Sequence, residues 1–69
     1  MNKADGRYRA NVKIGDLVDI VKKQHQQTGE LTQGVVKKIL TKSKFHPHGI
    51  KVIIDTNEVG RIKNMIEED

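Results

Sequence analysis

A chain of 69 residues with 35% hydrophobic content is one domain at most and too small for a deep, fully walled pocket, which argues against an enzyme. It has no cysteine, so a disulfide and a thiolate zinc site are excluded, and no apolar run exceeds three residues, so neither a signal-peptide core nor a membrane span is expected. The net charge is +4, but Glu67, Glu68 and Asp69 cluster at the end, leaving residues 1–66 with 13 basic against six acidic side chains.

A basic body with an acidic tail suits a polyanionic partner. The competing reading is that lysine keeps a small protein soluble. The reducing cytoplasm is the expected compartment for a chain without cysteine.

In chain order, residues 1–11 are polar, contain Gly6 and show no apolar period, which predicts a flexible basic arm. Its notable feature is Arg7-Tyr8-Arg9. Two guanidiniums beside a ring can neutralise phosphate and stack on a base, although a disordered leader with incidental charge is the better account of them. Gly15-Asp16 signals a turn, and Leu17 to Val21 is rich in β-branched residues, which predicts a strand. The segment around Thr28-Gly29 reads as a loop. Leu31 to Thr41 reads as a second strand with a bulge or close backbone approach at Gly34. Its Val35, Val36, Ile39 and Leu40 also fit helical spacing, but Gly34 and the flanking threonines favour strand. Lys42 to His48 forms the next loop, Gly49 to Ile54 a third strand, and Glu58 to Met65 a fourth.

Side-chain parity fixes the last hairpin. Ile50, Val52 and Ile54 share one face, and Ile62 must face them. A two-residue loop would bury Arg61. A three-residue loop, Asp55-Thr56-Asn57, pairs 52 with 60 and 51 with 61, and requires a left-handed third residue, which Asn57 tolerates. Four to five short strands, without room for crossover helices and with apolar residues on both faces, predict an all-β domain over residues 12–66. The expected form is a small antiparallel SH3-like barrel and a monomer, with residues 67–69 as an acidic tail.

The strings Gly15 through Val21, Lys23-Gln24, Thr28 through Val36, Ile39 through Thr41, His46 through Val52 and Val59 through Arg61 resemble the YwbE-like family of small uncharacterised microbial proteins. The likeness covers about residues 9–63. It departs at His25 and Gln27, where the family pattern carries an acidic and a basic residue. The resemblance implies one compact domain and no assigned activity. The opening Gly15-Asp16 and the closing Val59-Gly60-Arg61-Ile62 also look like small SH3-like barrels of the KOW type, found in translation and transcription proteins. That is a likeness of fold, and fold does not fix function.

The chemistry-bearing residues point to binding. His46-Pro47-His48 lacks the ligands for zinc and the orienting carboxylate of an acid–base pair. Proline and Gly49 make it a rigid turn, with His46 and His48 as loop contacts for a partner. Thr28 to Gly34 lacks the ending of a phosphate-binding loop and reads as a tight turn closed by threonine hydroxyls. Lys51 and Arg61 fall opposite each other on the outer face, with Lys63 two residues on. Like charges in that arrangement disfavour the pair, so a chain that keeps them has a use for them. The reading is a nucleic-acid-binding module, RNA in preference to DNA, that contacts phosphate backbone through Lys51, Arg61, Lys63, Lys37, Lys22, Arg7 and Arg9. No metal or cofactor is expected. The alternative is a protein–protein interaction module acting through a strand edge or the His46–Gly49 loop.

Overall fold

The computed structural model describes residues 5–66. Four strands form: β1 (Leu17–Lys22), β2 (Thr32–Ile39), β3 (Lys51–Ile54) and β4 (Val59–Met65). Each is antiparallel to the next, and β4 returns to pair with β1, so the sheet closes into a barrel. The helical content of the described residues is two single 3₁₀ turns, Arg9–Asn11 and Lys23–His25. This is the small all-β barrel of SH3-like form that the strand pattern predicts, with four strands.

Closure gives each strand a neighbour on both sides. It thereby removes the open edge through which another chain adds a strand. The core is aliphatic: Val12, Val18, Ile20, Val36, Ile50, Val52, Ile54, Ile62 and Met65 are buried together, and no polar or charged residue among those described is buried with them. Each such valine or isoleucine contributes about 1.5–3 kcal/mol through removal from water.

The β3–β4 hairpin has the expected register. Lys51 faces Arg61 and Val52 faces Gly60. Asn57 sits at φ 68°, and its N–H donates to the Ile54 carbonyl at 2.8 Å, which closes the three-residue loop.

Two strands depart from simple alternation, each at a lysine. On β2 the register slips between Val36 and Lys38, so Lys37 is the extra residue of a bulge. On β4 Asp19 faces Asn64 but Ile20 faces Ile62, so Lys63 is extra. A bulge turns both flanking positions to the same face. Val36 and Ile39 therefore both turn inward, as do Ile62 and Met65, and this explains why β2 also fits a helical spacing. Gly34 is the close approach rather than the bulge: a Cβ there would lie 2.5 Å from Ile54 Cδ1.

Part of the segment expected to be an arm is built into the fold. Within residues 5–11, the Arg9 N–H donates to the Lys44 carbonyl at 2.8 Å. The Arg7 carbonyl accepts from His46 N–H at 2.9 Å, and the Gly6 carbonyl accepts from Ile50 N–H at 2.9 Å. Tyr8 bridges to Phe45, and their ring centroids are 4.8 Å apart. These are mainly backbone bonds, which any sequence can make, so composition gave no sign of them. The acidic tail at 67–69 and the first four residues of the arm lie outside the described residues.

Candidate functional site

The His46–Gly49 segment is a turn. Gly49 N–H donates to the His46 carbonyl at 3.0 Å, and the backbone N–H of His48 donates to His46 Nδ1 at 3.2 Å. Gly49 has φ 101°, and a Cβ there would collide with the Ile62 carbonyl oxygen. The turn is thus pressed against β4, and it carries both imidazoles to the face from which Arg61 and Lys63 project.

Three adjoining clefts cross that face. The first, about 600 Å³, is lined by Lys22, Lys23, Lys51, Glu58 and Arg61, together with Gln24 and Gln26 of the loop after β1. The second, about 410 Å³, lies between His46, His48, Arg61 and Lys63. The third, about 320 Å³, is lined by Asp5, Arg7, His48 and Lys63. Arg61 is common to the first two, and His48 and Lys63 to the last two, so the three clefts form one track.

Charge along the track is uneven. Lys22 is paired with Glu58, and that hydrogen bond, reinforced by the Thr56 hydroxyl, holds the Glu58 carboxyl below its usual range. Arg7 is paired with Asp5 at 2.8 Å, and its hydrogen bonds lower the Asp5 pKa. Lys51, Arg61 and Lys63 form no ion pair among the described residues. Arg61 instead donates from one terminal nitrogen to the Gly49 carbonyl at 3.1 Å, which fixes the guanidinium between hairpin and turn. The His46 pKa is lowered, first by desolvation and then by the charges of Arg61 and His48.

Of the residues singled out in the sequence, Lys51, Arg61, Lys63, Lys22, Arg7, His46 and His48 all meet on this track. Two lie apart. Lys37 Nζ donates to Asn57 Oδ1 at 2.6 Å and braces the hairpin tip, and Arg9 Nε donates to the Thr41 carbonyl at 3.0 Å. Glu58 and the glutamines of the first cleft were not foreseen. Glu58 reaches Lys22 only because β1 pairs with β4, a contact that local pattern does not reveal. Among the described residues no three His, Asp or Glu side chains come together as a metal site. No helix among them is long and apolar enough to cross a membrane.

Residues 5–65 match a family described as "Uncharacterized conserved protein (DUF2196)". The chain is 50% identical over 62 residues to a Bacillus subtilis (strain 168) protein named "Uncharacterized protein YwbE", a match that spans 90% of this chain and 95% of that protein. No solved structure matches the chain significantly.

Proposed function

The chain belongs to the DUF2196 family of uncharacterised conserved proteins, and we propose that it is a nucleic-acid-binding module that grips the phosphate backbone of RNA. One observation carries the reading: Lys51, Arg61 and Lys63, uncompensated among the described residues, line a single track with His46 and His48. Cations left together on one face favour a polyanion, and the release of its counterions supplies much of the affinity.

The track is basic, and among the described residues no Phe, Tyr or Trp lines it to stack a base beside Arg61. Its contacts are to phosphate, which position a strand without reading sequence. RNA is preferred to DNA on the likeness of the fold to KOW-type barrels, which is an analogy of fold. The module binds and performs no catalysis in this reading. It is a monomer that works in the cytoplasm.

The test is fluorescence anisotropy of labelled single-stranded RNAs of unrelated sequence, with single-stranded DNA alongside, at low salt. Wild type binds all the RNAs with similar affinity, and Arg61→Ala weakens each by a similar factor. A protein partner captured with undiminished strength at high salt, by a chain that binds no RNA, would favour the interaction module instead.

A further inference from the structure

We infer that the cleft between the His46–Gly49 turn and β4 is a subsite for a phosphomonoester, the phosphate at one end of an RNA strand. The inference rests on the polyanion reading of the same face and adds a preferred group to it.

The three clefts differ in a way that bears on ligand charge. The first contains Glu58 and the third Asp5. The second has no carboxylate among its described lining residues, and its ionisable side chains are Arg61, Lys63, His46 and His48. The lining from β1 and the following loop is uncharged: Val21, Gln26 and Gly29. An internal phosphodiester carries one negative charge and two free oxygens. A terminal phosphate carries about −1.5 to −2 at neutral pH and three strong acceptor oxygens. Two permanent cations and two imidazoles exceed what a diester needs and match a monoester.

The donors are also prearranged. His46 Nδ1 accepts the His48 N–H at 3.2 Å, so the neutral ring carries its proton on Nε2 and is a donor without being charged. Arg61 spends one N–H on the Gly49 carbonyl, which holds the planar fork in place and leaves its other N–H groups for oxygens. Lys63, the extra residue of the β4 bulge, stays exposed beside the turn and lines the cleft with His46 and His48.

The experiment compares short RNAs of one sequence with hydroxyl ends, a 5′-phosphate or a 3′-phosphate, by anisotropy against the wild-type chain. A second arm follows the imidazole signals of His46 and His48 by NMR during titration with inorganic phosphate. One phosphorylated end binds about tenfold tighter than the hydroxyl form, the gain expected for one added charge-assisted contact set. The gain goes to one end, because a strand lying in the track has one polarity. In a His48→Gln/Lys63→Gln chain the two ends become equivalent. Inorganic phosphate shifts both imidazoles saturably.

Equal affinity for all three RNAs, or an equal gain from either phosphate, overturns the subsite and leaves the backbone reading standing. Imidazoles indifferent to inorganic phosphate overturn it as well. If no RNA binds but phosphate shifts both rings, the backbone reading falls and the phosphomonoester site stands, its ligand then being a free phosphate ester.

Discussion

Lys51 and Arg61 stand directly opposite each other on the outer face of the β3–β4 hairpin, and neither has a carboxylate partner among the described residues. Facing like charges cost a hairpin about 0.2–1 kcal/mol relative to neutral pairs. Lys51→Glu converts the repulsion into an ion pair, so stability rises by about 0.2–1 kcal/mol in urea unfolding. RNA affinity falls in the same variant, because one cation is removed and a second is engaged. A chain that becomes more stable while binding less separates the two roles of this pair.

The turn that delivers the imidazoles depends on Gly49. Its φ of 101° and the Ile62 carbonyl beside it leave no room for a side chain. Gly49→Ala therefore costs about 2 kcal/mol or more, from the left-handed backbone and the displaced strand together. His48→Ala, at an exposed position in the same turn, costs about 1 kcal/mol or less. Chemical denaturation of the two variants gives the ordering.

The lowered His46 pKa sets a pH dependence. A histidine whose folded pKa lies below its unfolded value of about 6.5 favours the neutral ring in the folded chain. The stability linked to it is complete above about pH 6.5 and is lost as pH falls through the folded pKa. Asp5 and Glu58, whose folded pKa values are also lowered, act the same way but in the carboxylate range, below about pH 4.5. His46→Asn isolates the imidazole, since Asn Oδ1 can accept the His48 N–H and does not titrate. Melting temperature between pH 7.5 and 5 falls in wild type, and the His46→Asn chain shows a flatter profile.

Glu58 holds Lys22 out of play. Glu58→Gln releases the lysine into the first cleft, so RNA affinity rises and the salt dependence steepens by about 0.7, one phosphate contact on a single strand. An unchanged slope in anisotropy titrations would mean that the strand does not reach the first cleft.

The fold was legible where period two held. Ile50, Val52 and Ile54 against Ile62 determine the hairpin loop and place Asn57 at positive φ by parity alone. Legibility ended at Lys37 and Lys63, where a bulge puts two inward residues three apart and imitates a helical spacing. It ended also at residues 5–11, which are held mainly by backbone bonds to Lys44, His46 and Ile50. The outward set Lys51, Arg61 and Lys63 followed from the same parity as the core. Its junction with His46 and His48 did not, because nothing local reveals that the turn rests on β4.

The proposed function stands on phosphate contacts from Lys51, Arg61 and Lys63. The most direct measurement is the affinity for a single-stranded RNA at a series of salt concentrations. Three phosphate contacts give a slope of log affinity against log salt of about −2, and Arg61→Ala reduces its magnitude by about 0.7. That slope is the expected result, and a chain with all three residues replaced by alanine keeps its β circular dichroism but loses the binding. Equal binding by wild type and the triple variant, or no binding by wild type at low salt, would contradict it.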